Sequence, residues 1–180
     1  MKKLKGFTLI ELIVVIAIIG VLAAILVPAL IGYVKKSKIT SANASASSCY
    51  KAINSALVGL NDGQDYEANS YLITSSHGDM KFVIKNGTAP AGFDGIEFYK
   101  LVMNYFTDIK RCTTYAKISD GECKAVALAT TSTITGSYPT ILNYKNYKYY
   151  TIEDACIQAY NKASNVTVTQ PSNKVANNGF

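Results

Sequence analysis

The chain opens with a long apolar segment that contains one acidic side chain. Residues 7 to 33 read FTLIELIVVIAIIGVLAAILVPALIGY, and Glu11 is the only side chain among them that is charged at neutral pH. The segment is long enough to cross a bilayer as a helix. A carboxylate in a membrane costs about 3 kcal/mol, and such residues usually have a function. Glu11 is therefore the first candidate functional residue.

A short basic leader, MKKLKG, precedes the apolar segment and ends at Gly6. Phe7, Thr8, Leu9 and Glu11 follow it, and the helix continues past Pro28. This arrangement resembles the class III signal sequence of type IV prepilins, and the resemblance is confined to the N-terminal part of the chain. It implies that a prepilin peptidase cleaves between Gly6 and Phe7 and methylates the new amine of Phe7.

Two simpler interpretations of the apolar segment fit its residues less well. An ordinary secretory signal peptide has a basic start and an apolar core, but it is cleaved after that core. Here the apolar run continues past the small pair Ala23-Ala24 to Ile31. A plain membrane anchor would also be long enough. Neither needs a glutamate in its core, so the prepilin interpretation is preferred.

The charge balance argues against nucleic acid as a partner. The chain has a net charge of +6, and removal of the three leader lysines would leave +3. It has a single arginine, Arg111, and no dense basic run outside the membrane flanks. Lysines flank the apolar segment on both sides, so they do not fix its orientation. The prepilin resemblance implies a single span in the cytoplasmic membrane with the N-terminus inside.

The apolar pattern continues beyond the membrane segment at helical spacing. Residues 35 to 60 are polar and rich in Ala and Ser, yet one apolar face recurs every three or four residues. Its members are Ile39, Ala42, Ala46, Cys49, Ile53, Ala56 and Leu60. We therefore predict one helix from Phe7 to about Val58. The predicted parts are a leader (1–6), a transmembrane or filament-core helix (7–34) and a globular head (35–180) that includes an amphipathic half-helix (35–60).

Two poor helix formers lie inside the apolar half. Gly20 costs roughly 1 kcal/mol relative to alanine, and Pro28 removes a backbone hydrogen bond. They mark the weakest part of the predicted helix. The prepilin resemblance implies that this stretch can lose helicity in assembled filaments.

The head has the composition of an α+β domain, with the long helix packed on an antiparallel sheet. Strands are predicted at 70–75, 80–85, 115–118 and 124–129, with weaker candidates at 133–137, 143–150 and 166–169. A second helix begins after Asp94, with Glu97 reaching back to the cap. Its predicted apolar face consists of Ile96, Tyr99, Met103, Phe106 and Ile109. A third helix runs from Thr151 to about Lys162.

Four cysteines allow two disulfides in three pairings if the head is exported to an oxidising compartment. Cys112 and Cys123 flank a predicted hairpin turn and are the first expected pair. A Cys49–Cys156 bond would tie the end of the chain to the long helix. Buried free thiols are the alternative. The cysteine spacing and the single histidine, His77, argue against a zinc site, and no cofactor is expected.

Tyrosines cluster near residue 145 with two lysines, and this cluster is interpreted as a half-buried edge strand rather than a ligand-binding patch. The tyrosines are Tyr138, Tyr144, Tyr147, Tyr149 and Tyr150. Acidic residues between Asp62 and Glu67 lack the spacing of a calcium loop. His77 has no sequence neighbour that suggests a catalytic triad, so an enzyme is not expected.

The resemblance implies a structural subunit of a type IV pilus that supports adhesion, motility or DNA uptake. Its expected partners are identical or related pilin subunits, the cytoplasmic membrane before assembly, the prepilin peptidase and the pilus assembly platform. The final location would be an extracellular pilus. In this interpretation Glu11 pairs with the Phe7 ammonium of a neighbouring subunit, with the chain's own amine as competitor. A pseudopilin of a type II secretion or competence system and a minor pilin acting as an adhesin or DNA receptor are the alternatives.

Overall fold

The computed structural model of the chain describes residues 6–60, 70–131, 134–140, 142 and 150–164. The helices are α1 (Leu9–Leu60), α2 (Gly95–Tyr105) and α3 (Ile152–Ala163), with a 3₁₀ helix at Thr107–Arg111. The strands are β1 (Ser70–Ser75), β2 (Val83–Gly87), β3 (Thr113–Ser119), β4 (Glu122–Thr131) and β5 (Ile134–Tyr138). Residues 143–149 of the strand predicted at 143–150, the strand predicted at 166–169 and the acidic cluster at 62–67 lie outside the described residues.

The chain divides into two compact units after Ser37. In the first unit, every large apolar side chain from Phe7 to Val34 is exposed. Among the described residues, α1 is a helix long and apolar enough to cross a membrane. No residue in the most apolar stretch of this helix is buried. The helix continues through Gly20 and Pro28. The predicted loss of helicity there in filaments stays a prediction.

The second unit is a five-stranded antiparallel sheet between helices. The strand order is β2-β1-β3-β4-β5. One face of the sheet packs on the amphipathic part of α1 and on α2, where Cys49, Ile53 and Phe98 belong to the main core. The opposite face packs on α3 through a smaller cluster that includes Leu72 and Ala159. The predicted α+β class, with the long helix on an antiparallel sheet, is confirmed.

Two asparagines on α1, neither of them predicted as a structural residue, fix the helix to the head. Asn43 donates to the Leu142 carbonyl at 2.7 Å and accepts from the Ser137 N–H at 3.0 Å. Asn54 accepts from the Cys123 N–H at 2.9 Å. Each amide thus bonds backbone groups of the head, and leaving such a group unsatisfied would cost about 1–3 kcal/mol. The sequence feature that indicates such a role is a polar residue on or beside the apolar face of the amphipathic half-helix.

The head predictions hold in outline and differ in detail. Asp94 caps α2 by accepting from the Ile96 and Glu97 N–H groups, as predicted. Of the predicted apolar face, Tyr99, Phe106 and Ile109 are buried. Ile96 is 50% exposed, however, and the buried face of α2 also includes Phe98 and Val102, which were not predicted. The Gly95 carbonyl accepts from the Phe82 N–H at 2.9 Å, which ties the first turn of α2 to the segment before β2. This tertiary contact is not visible in the periodicity of α2.

Candidate functional site

The start of α1 brings together the residues of the prepilin motif. Gly6, Phe7 and Thr8 are exposed and precede the helix, so the Gly6–Phe7 peptide bond lies in a non-helical segment. The Thr8 N–H donates to Glu11 Oε2 at 2.8 Å, and the Thr8 hydroxyl donates to the same oxygen at 2.7 Å. The Glu11 N–H donates to Thr8 Oγ1 at 3.4 Å. Together these bonds form a capping box with Thr8 as the N-cap.

The capping box fixes the position of the Glu11 carboxylate. The described hydrogen bonds of this carboxylate use Oε2, so Oε1 is available to a donor from another molecule. A carboxylate held next to an exposed apolar helix is a strong acceptor for an ammonium group, because charge-assisted hydrogen bonds strengthen where water is excluded. Glu11 is identifiable from the charge pattern of the sequence, whereas Thr8 is identified by the hydrogen bonds that it makes to Glu11. The Thr-x-x-Glu spacing before an apolar run is the signal that identifies it.

The four cysteines are buried free thiols in the structure, so neither expected disulfide is formed. Cys112 and Cys123 lie at opposite ends of the β3–β4 hairpin. Cys123 pairs with Ile118, and Cys112 directly precedes Thr113 at the far end of β3. The intervening strand separates them by about 20 Å at the usual rise per residue, well beyond the Cα separation that a disulfide allows. The turn lies beside Cys123 and not midway between the two residues.

The second expected pair lies on opposite faces of the sheet. Cys49 belongs to the core between α1 and the sheet, whereas Cys156 belongs to the cluster under α3. The Cys156 thiol donates to the Ala125 carbonyl of β4 at 3.5 Å. Because the sheet lies between the two sulfurs, a Cys49–Cys156 bond would require α3 to leave its face of the sheet.

Burial makes these thiols unreactive. It raises the pKa of Cys112 to about 11 and that of Cys156 to about 12. It also raises the pKa of Cys49 and Cys123. The nucleophile in thiol chemistry is the thiolate, and at pH 8 a pKa near 11 leaves about one thiolate in a thousand. The structure therefore assigns the cysteines to the core as small apolar side chains.

We expect a fragment that begins at Lys35 to be a soluble monomer with four free thiols. Its part of α1 buries a single face, from Ile39 to Leu57, against the head. Ellman's reagent at pH 8 should label fewer than one thiol in the folded fragment and four in guanidinium chloride, and dithiothreitol should leave the melting temperature unchanged. Peptide mapping without reduction that finds a crosslinked pair would contradict this expectation.

Among the described residues, the remaining candidates do not come together at a metal site. In the part of the chain that the structure describes, no group of three or more His, Cys, Asp or Glu side chains could hold a metal ion. Tyr138 is half-buried with its ring centroid 4.8 Å from that of Tyr50, and Tyr150 is buried. The remaining members of the tyrosine cluster, Tyr144, Tyr147 and Tyr149, lie outside the described residues.

Comparison with known proteins identifies relatives of this N-terminal segment and also relatives that match most of the chain. Residues 1–27 match the family described as the prokaryotic N-terminal methylation motif. A type IV major alpha-pilin of Moraxella bovis is 49% identical over 57 residues, which are 32% of this chain and 36% of that protein. A fimbrial protein of Moraxella nonliquefaciens is 30% identical over 139 residues, which are 75% of this chain and 90% of that protein.

A longer match also reaches a Neisseria protein. The type IV major pilin protein PilE of Neisseria gonorrhoeae is 29% identical over 124 residues, which are 67% of this chain and 71% of that protein. By contrast, the chain spans little more than a third of the length of the Moraxella bovis pilin. No solved structure matches the chain.

Proposed function

Because this chain belongs to the type IV pilin family, a family of structural subunits and not of enzymes, we propose that it is the structural subunit of a helical type IV pilus. The observation that supports this most directly is the Glu11 carboxylate, held by Thr8 at the start of an exposed apolar helix. An exposed apolar surface of this size needs lipid or other helices as its partner. A filament of identical or related subunits supplies those helices.

We propose that the precursor is anchored in the cytoplasmic membrane before assembly, with its N-terminus on the cytoplasmic side. A prepilin peptidase would cleave the Gly6–Phe7 bond and methylate the Phe7 amine, which keeps its positive charge. At the assembly platform, the Phe7 ammonium of an incoming subunit would meet Glu11 of a subunit already in the filament. The chain's own ammonium competes for Glu11, since it lies four residues upstream. Pairing would fix the register of apolar helices that otherwise slide along one another.

The head would form the outer surface of the filament, which would support adhesion, motility or DNA uptake. Two of the relatives are described as major pilins, which favours a role as the main repeating subunit. Gly20 and Pro28 would supply a stretch of α1 that can lose helical hydrogen bonds when subunits pack. The buried thiols leave the head independent of disulfide formation after export.

Processing gives the first test of this proposal. We expect the mature protein to begin at N-methylated Phe7, because the basic leader ends at Gly6 and the Gly6–Phe7 bond is exposed. Mass spectrometry of the N-terminal peptide from sheared surface filaments measures both the cleavage site and the added methyl group. An N-terminus near Ala24 would instead indicate an ordinary signal peptide, and an intact Met1 would indicate a plain membrane anchor.

A further inference from the structure

An open cavity of about 350 Å³ lies at one end of the three central strands, lined by His77, Asp108, Arg111 and Thr130. His77 belongs to the turn after β1, and Thr130 lies near the end of β4. Asp108 and Arg111 belong to the 3₁₀ helix that precedes β3. The sheet register brings these segments together, because Ser75 of β1 pairs with Thr114 and Thr113 of β3 pairs with Ala129.

His77 is held by two hydrogen bonds to the segment where the 3₁₀ helix leads into β3, one from its main chain and one from its ring. The His77 N–H donates to Thr113 Oγ1 at 3.2 Å, and its Nδ1 lies 2.9 Å from the Arg111 carbonyl oxygen. A carbonyl oxygen can only accept, so Nδ1 carries the proton of this hydrogen bond. In the neutral ring, Nε2 is then left as an acceptor for a ligand.

The Asp108 carboxylate and the Arg111 guanidinium line the same cavity without forming an ion pair with each other. Residues three apart in a 3₁₀ helix lie one above the other, so both side chains project from the same side of it. Within the described residues, neither side chain forms an ion pair or a hydrogen bond. Arg111 is also the single arginine of the chain. Its planar group can bind a carboxylate through two parallel hydrogen bonds, which lysine cannot do.

We propose that this cavity binds a saccharide that carries a carboxylate, such as a hexuronic acid unit. The sugar carboxylate pairs with Arg111, and Asp108 accepts hydrogen bonds from ring hydroxyls. His77 Nε2 and the Thr130 hydroxyl complete the polar lining. A ligand with both an anionic group and hydroxyl donors satisfies the guanidinium and the carboxylate together, whereas a simple anion would be repelled by Asp108.

The position of the cavity favours a sugar over a peptide. Peptides are usually bound along a free sheet edge or in an apolar or aromatic groove. This cavity lies at strand ends, and the four side chains that line it are all polar or charged. The proposal concerns a surface of the head and does not depend on filament assembly.

The test uses the full-length protein in detergent micelles and saturation-transfer NMR with methyl glucuronide, compared with methyl glucoside. We expect saturable binding of the glucuronide and at least about tenfold weaker binding of the glucoside, because the contact with a charged partner is lost. Arg111→Gln should weaken glucuronide binding by a similar factor, and Asp108→Asn should weaken it several-fold. Lys110→Gln removes one positive charge beside the cavity without removing a lining residue, and it should bind as the parent does.

Circular dichroism melting of each variant separates loss of binding from loss of folding. The side chains of Asp108, Lys110 and Arg111 are exposed, so we expect all three variants to melt at the temperature of the parent. Equal binding by the parent and Arg111→Gln would overturn the proposal. A second pair of results would also overturn it: phosphate displaces the glucuronide, and Asp108→Asn binds the glucuronide as the parent does. Together these results would describe an anion site without sugar recognition. A peptide with a free C-terminal carboxylate that competes more strongly than the glucuronide would overturn it as well.

Discussion

Cells that express Glu11→Ala are expected to hold normal amounts of the precursor in the membrane and to make few or no filaments. The substitution makes the apolar segment more apolar, so membrane insertion should not suffer. It removes the proposed partner of an incoming Phe7 ammonium and leaves that charge unpaired among apolar helices. Breaking a buried ion pair in this way costs about 3–5 kcal/mol, which would suppress docking at every added subunit. Immunoblots of membranes and electron microscopy of sheared filaments measure the two effects.

The described hydrogen bonds of Glu11 all go to Thr8, so the head should fold normally in the variant. Ile10→Ala is the matched control, because it shortens the neighbouring exposed side chain and keeps the carboxylate. We expect it to assemble. Glu11→Gln keeps the size and the hydrogen-bonding oxygen without the charge, and it should assemble poorly. Filament numbers equal to the parent in Glu11→Ala would exclude the pairing mechanism.

The N-terminal half of the molecule could be predicted from the sequence because its signals are local. The three- and four-residue spacing of apolar residues predicted the long helix, and the structure buries Ile39, Cys49 and Ile53 of that face. Local signals also account for two features of the head, the Thr151 capping box of α3 and the Asp120-Gly121 turn. In the turn, both residues have positive φ values, as a two-residue hairpin connection of type I′ requires.

The cysteines could not be placed from the sequence because their positions depend on tertiary packing. A bulge in the β3–β4 pairing after Lys117 turns Cys123 to the same face of the sheet as Val126. The docking of α3 on the opposite face separates Cys156 from Cys49. Neither the bulge nor the choice of face has a signal in the spacing of the cysteines. The same limit applies to the cavity at His77, whose four lining residues come from three separate segments.

β5 approaches the backbone of α1 at Gly136, where a side chain has no room. A Cβ atom added there would lie 2.1 Å from the Ala42 carbonyl oxygen and 2.6 Å from the Asn43 nitrogen. Both atoms belong to the backbone of α1, which cannot rotate aside as a side chain can. An alanine at this position would push α1 away from β5 and lengthen the hydrogen bond between the Ser137 N–H and Asn43 Oδ1, which is 3.0 Å long.

We therefore expect Gly136→Ala to lower the free energy of unfolding of the head by about 3 kcal/mol, at the upper end of what overpacking usually costs. Urea unfolding of the fragment that begins at Lys35 measures this change. Gly59→Ala is the matched control, because a Cβ added there meets nothing within 4 Å and alanine favours the helix. It should leave the head as stable as the parent or slightly more stable. If the two variants unfold at the same urea concentration, β5 does not pack against the backbone of α1, and the Asn43 hydrogen bonds would lose their role in holding the helix to the sheet.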